Sequence, residues 1–139
     1  MSKKMFPAVI ISVLSLLVLV SCNKPKQEAP VIKLNMTETA VEAAGNSLSV
    51  AFEILNPVEG VALQVAAAQD CDWVSGLVVS EGNKGTVAFT VAKNKETQTR
   101  QSELTFSYEG AQPVVFVINQ SAAEELPITI NVKDVQATS

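Results

Sequence analysis

Thr86-Val87-Ala88-Phe89-Thr90-Val91 decides the fold class of this chain. Its larger apolar residues recur at every second position, so Val87, Phe89 and Val91 share one face of an extended segment while Thr86, Ala88 and Thr90 face the other. Period two marks a strand with one face in a core and one in water. The pattern repeats on both sides. Leu104-Thr105-Phe106-Ser107-Tyr108 puts Leu104, Phe106 and Tyr108 together, and residues 47–54 do the same with Leu48, Val50, Phe52 and Ile54. Residues 114–118 are apolar on both faces, as a central strand would be. Between these runs lie breakers. Gly45-Asn46, Asn56-Pro57 with Gly60, Glu81-Gly82-Asn83-Lys84-Gly85 and Glu109-Gly110-Ala111 all read as turns, and in the third Asn83 or a neighbouring glycine takes positive φ.

This reading predicts strands over 32–36, 47–54, 61–66, 73–79, 86–92, 102–108 and 114–120. Residues 37–44 have mild helix propensity but sit in a β context, so they read as loop or edge strand. About seven short strands at this spacing predict an all-β, immunoglobulin-like sandwich over residues 31–121.

Outward from the sandwich, the first 22 residues have three zones. Lys3 and Lys4 are positive, residues 8–20 are apolar except for Ser12 and Ser15, and Leu19-Val20-Ser21-Cys22 follows. The apolar run is too short for a bilayer, which needs roughly 20 residues. It has the length of a signal-peptide core. Leu19 to Cys22 resembles the bacterial lipobox, which implies cleavage before Cys22 and acylation of its sulfur. Residues 1–21 are then a lipoprotein signal peptide, and Cys22 carries the diacylglyceryl and fatty acyl chains, palmitate among them. One acyl chain holds a protein only marginally, since each buried CH₂ contributes about 0.8 kcal/mol, so two or three chains are needed. Residues 22–30 are polar, contain Pro25 and Pro30, and read as an extended tether. Asn23 after the cysteine resembles sorting signals for the outer membrane. Lys24 and Lys26 stand where surface-exported lipoproteins carry acids, which leaves the periplasmic and surface faces both open.

Composition removes several functions. The full chain of 139 residues has a net charge of -4, and from Cys22 onward it carries 8 basic and 14 acidic side chains. This argues against nucleic acid, whose phosphates call for clustered Lys and Arg. Histidine is absent, and with it the usual general base and commonest metal ligand. Cys71 has no second cysteine in the mature chain except the acylated one, so it reads as a buried thiol rather than a nucleophile. Asp70 and Asp72 are two apart and would share a face on a strand, but no cleft is indicated around them, so they read as solvated carboxylates. Lys93-Asn94-Lys95-Glu96 reads as a solvated loop. No catalytic residue, metal site or cofactor is expected.

The second half of the sandwich carries a family resemblance. Cys71-Asp72-Trp73-Val74, the Gly-rich turn, Val87 to Asn94, Thr99-Arg100-Gln101 and Val115 to Ser121 together resemble the BACON domain (Bacteroidetes-associated carbohydrate-binding, often N-terminal). Its pattern has a Trp opening a strand, an Asn closing the next, an Arg starting a hairpin and a Gln ending the last strand. Here these are Trp73, Asn94, Arg100 and Gln120. The resemblance implies a sandwich of seven or eight strands with these four in structural roles, Trp73 buried and Arg100 paired with an acidic neighbour or capping the sheet. It also implies a secreted or surface lipoprotein with glycan or mucin binding, or a spacer role. Sugar-binding modules stack their ligands on exposed rings, whereas Phe52, Phe89, Phe106 and Tyr108 fall on the apolar faces of their strands. A ligand-binding residue therefore stays unassigned.

The expected molecule is a non-catalytic lipoprotein of the outer membrane whose module binds glycans or acts as a spacer. The alternative is an assembly lipoprotein docking to an outer-membrane protein complex. Residues 122–139 read as a linker, with Leu126, Ile128, Ile130 and Val132 alternating as the first strand of a further domain would, or as an added edge strand or tail.

Overall fold

The computed structural model describes residues 25–128. The expected signal peptide and the expected lipidation site at Cys22 lie outside these residues, as does most of the alternating segment after Pro127. Residues 121–128 contain no strand.

The chain forms eight strands and no helix among the described residues: β1 Val31–Leu34, β2 Glu38–Val41, β3 Asn46–Leu55, β4 Gln64–Ala67, β5 Val74–Val79, β6 Lys84–Val91, β7 Arg100–Ser107 and β8 Val114–Gln120. They make two four-stranded sheets, β1-β3-β6-β5 and β2-β8-β7-β4. The expected immunoglobulin-like sandwich is the observed fold, with one strand more than the count of about seven. The extra strand lies in residues 37–44. It is an edge strand, and it pairs parallel with β8 from Glu38↔Val117 to Val41↔Gln120. Every other pairing is antiparallel.

The alternation works as the sequence implied. Val87, Phe89 and Val91 from β6 face Leu104 and Phe106 from β7 and Phe116 and Ile118 from β8, all buried. Phe89 and Phe116 meet edge-to-face across the two sheets with centroids 6.1 Å apart, the arrangement their ring quadrupoles favour. Ser102, Asn94 and Gln120 are the buried polar residues, and of these Ser102 has its Oγ buried without a partner among the described residues. β8 lies between β2 and β7, yet Val115 is exposed, so its outer face is not fully covered. Surface charge contributes little: the one ion pair among the described residues, Lys84–Glu53 at 3.6 Å, is exposed.

Two turns are fixed by backbone demands. Gly45 has φ +78°, and a Cβ there would run into the Val91 carbonyl. In the turn before β6 the positive φ falls on Gly82, not Asn83. β4 starts later than expected because residues 58–61 form a turn, closed by Val61 N–H donating to Val58 O. Tyr108 pins that turn: its hydroxyl accepts from Val58 N–H at 2.9 Å and donates to Val58 O at 3.1 Å. Tyr108→Phe removes both bonds while keeping the ring, so it is expected to lower stability by about 1–3 kcal/mol. Urea denaturation of the two proteins checks this, and an unchanged midpoint would contradict it.

The two ends of the sandwich have different occupants. The start of β1, the end of β3, the start of β6 and the end of β7 lie at one end, here called the near pole. Residues 25–30 arrive there, with Pro30 beside Gly110. The end of β6 and the starts of β5 and β7 lie at the far pole, together with the ends of β2 and β8. Ser121 leaves from it. The chain thus enters and exits at opposite poles.

Candidate functional site

The far pole gathers Trp73, Asn94, Arg100 and Gln120 into one polar cluster. Each arrives from a different place: Trp73 just before β5, Asn94 just after β6, Arg100 as the first residue of β7 and Gln120 as the last of β8. Arg100 and Gln120 are direct partners in the β7–β8 register.

Gln120 sits at the centre with 1% of its surface exposed. Its phase follows from β8, where Phe116 and Ile118 already point inward, so the next inward position is Gln120. A buried carboxamide must find partners for two donors and an acceptor. Its Nε2 donates to Ala92 O at 2.9 Å and to Glu42 O and Ala43 O at 3.1 and 3.3 Å. Its Oε1 accepts from Arg100 Nε at 2.8 Å. Arg100 Nη2 donates to the same Ala92 carbonyl at 3.0 Å. The Ala92 N–H in turn donates to Trp73 O at 2.8 Å. One residue of backbone therefore links all the neighbouring strand ends.

The Arg100 guanidinium carbon lies 4.5 Å from the Trp73 ring centroid, within the range of a cation–π contact. The ring also packs on the core. Trp73 is half-buried rather than fully buried, but Arg100 and the core already occupy it. Arg100 has no acidic partner among the described residues; it is held by an amide and a carbonyl instead.

Asn94 is fully buried, although the sequence around it reads as a solvated loop. Its Nδ2 donates to Gln98 O at 2.8 Å and to Ser121 O at 2.9 Å, and its Oδ1 accepts from Glu96 N–H at 3.1 Å. Its own N–H donates to Ala43 O at 2.7 Å. Asn94 thus closes its loop and grips the departing chain at once. Local sequence missed this because its neighbours Lys93 and Lys95 are exposed. Only the family resemblance singled it out.

Arg100 and Gln120 of the cluster also line a shallow cleft of about 450 Å³, together with Thr99, Gln101, Asn119 and Ser121. No aromatic ring lines it. The Gln101 Nε2 donates to Asn119 Oδ1 at 2.7 Å, so these amides are partly used on each other. Asp70 and Asp72 are exposed and lie in the loop between β4 and β5, not on a strand. Cys71 between them is half-buried and packs on the core. The described residues contain no group of three or more His, Cys, Asp or Glu placed to hold a metal ion.

The sequence matches no protein-family model and no curated protein. Among solved structures it is similar to a Bacteroides ovatus GH5 xyloglucanase in complex with a XXXG heptasaccharide, with a TM-score of 0.55 at 16% identity over 67% of this chain and 19% of that one. It is also similar to a Bacteroides thetaiotaomicron protein solved by NMR, with a TM-score of 0.48 at 19% identity over 73% of this chain and 95% of that one. The chain thus spans about a fifth of the xyloglucanase, and at this identity the likeness is one of fold.

Proposed function

We propose that this chain is a lipoprotein of the bacterial outer membrane, anchored through acyl chains on Cys22, whose BACON-like sandwich serves as a non-catalytic spacer. The observation that carries this reading is the exit at the pole opposite the one where the tether arrives. A module threaded end to end adds its own length to the reach of the chain; one whose ends meet at a single pole adds almost none. The ten residues of β3 make the sandwich about 33 Å long at about 3.3 Å per residue. The tether over residues 23–30 adds up to about 26 Å when extended.

The side chains support spacing over sugar capture. Phe52, Phe89, Phe106, Phe116 and Tyr108 are buried, and Trp73 is covered by Arg100 and the core. Stacking a sugar needs an open ring face. The four motif side chains are likewise engaged with one another and with backbone.

A glycan array probed with the mature chain, including mucin-type glycans and xyloglucan oligosaccharides, tests this reading. The expected result is no binding. Binding that disappears in Trp73→Ala while the protein stays folded would replace the spacer with a glycan-binding module.

A further inference from the structure

The segments that flank the sandwich, residues 25–30 and 121–123, are held by very different contacts. At the near pole, Asn56 Nδ2 donates to Glu28 Oε2 at 3.4 Å and to Ala29 O at 3.3 Å, both long and exposed. Water competes for such bonds, so they restrain the incoming chain weakly. Pro30 also lies beside Gly110. At the far pole, Ser121 N–H donates to Val41 O at 2.9 Å and Ala123 N–H to Glu96 O at 2.8 Å. The Ser121 carbonyl is held by Asn94 at 2.9 Å, and Asn94 is wholly buried. Ser121 is exposed and Ala123 half-buried, so what holds this exit against opening is the buried Asn94 carboxamide, paired through both its nitrogen and its oxygen.

We infer that the module is compliant where the chain enters and rigid where it leaves, so that the sandwich pivots on its base while residues 121–123 launch the following chain in a fixed direction. The inference rests on the lipid-anchored spacer reading for its meaning, but the stiffness itself does not depend on the anchor. Asn94 is the positioning residue. It joins the loop after β6 to the exit, and Gln120 and Arg100 hold the strand ends on which that loop sits. A spacer with a stiff outlet limits the volume that whatever lies beyond it can sample, and so sets its effective concentration at a target.

Amide hydrogen exchange on the full lipidated chain in nanodiscs tests this. Ser121 and Ala123 amides are expected to exchange at least about 100-fold more slowly than unstructured amides, whereas those of residues 26–29 exchange at nearly the unstructured rate. Asn94→Ala should bring Ser121 and Ala123 to within about 10-fold of that rate while amides in β6 and β7 stay protected. If that variant fails to fold, Asn94→Ser keeps a neutral acceptor for Glu96 N–H, cannot donate to Gln98 O and Ser121 O together and should show the same local release. Fast exchange at 121 and 123 in the wild type, or protection unchanged in a folded variant, would overturn the inference. A chain that keeps this protection but washes off the membrane would remove the anchoring alone.

Discussion

Gln120→Leu is expected to destabilise the protein by about 3–5 kcal/mol, a large part of the 5–15 kcal/mol typical of a small domain. Leucine has nearly the volume of glutamine, so the packing around Phe116 and Ile118 is kept and the loss reports polar pairing. The substitution deprives Arg100 Nε of its acceptor and leaves the carbonyls of Glu42 and Ala43 without their side-chain donor. Ala92 O keeps Arg100 but loses Gln120. Arg100 Nε is left unpaired at about 1–3 kcal/mol, while the Glu42, Ala43 and Ala92 carbonyls keep Gly45 N–H, Asn94 N–H and Arg100 Nη2 and each lose a second bond of about 0.5–1.5 kcal/mol. The end of β2 should loosen first, since Glu42 and Ala43 follow it directly. Urea denaturation gives the total, and a loss under about 1 kcal/mol would mean that the cluster is not what holds the far pole together.

The second large effect concerns attachment. Cys22→Ser is expected to move the protein entirely from the membrane fraction to the soluble or unprocessed fraction and to abolish palmitate incorporation. The physical reason is the acyl chains themselves. With each buried CH₂ worth about 0.8 kcal/mol, two or three chains hold the protein essentially permanently, and nothing comparable is present among the described residues. Among the described residues no helix is long and apolar enough to cross a membrane. Membrane association and palmitate labelling that survive Cys22→Ser would contradict the anchor.

Much of the sandwich was legible because its central strands are long and regularly alternating. β3, β6, β7 and β8 each show one face of Val, Leu, Ile or Phe, and burial follows that phase. β2 was harder. Its four residues, Glu-Thr-Ala-Val, bury only Val41, and their extended form depends on parallel pairing with a strand some 80 positions away. No local pattern reports such a partner. The inward position of Gln120 was in principle legible, two positions beyond Ile118, though only the family resemblance singled the residue out. Asn94 was not, since its burial arises from a loop that folds back over the sheet ends. The meeting of Trp73, Asn94, Arg100 and Gln120 needs both sheets in place, and so belongs to topology rather than to any stretch of sequence.

The central claim is that the sandwich stands between the bilayer and its far pole, and energy transfer measures this directly. In a Cys71→Ser background of the lipidated chain, a dye is placed either at position 83, at the near pole, or at position 122, at the far pole, with acceptor lipids in the bilayer. The mean distance to the bilayer is expected to be greater from 122 than from 83, by up to about 30 Å, the length of the sandwich. Equal distances, or a far pole closer than the near one, would contradict it.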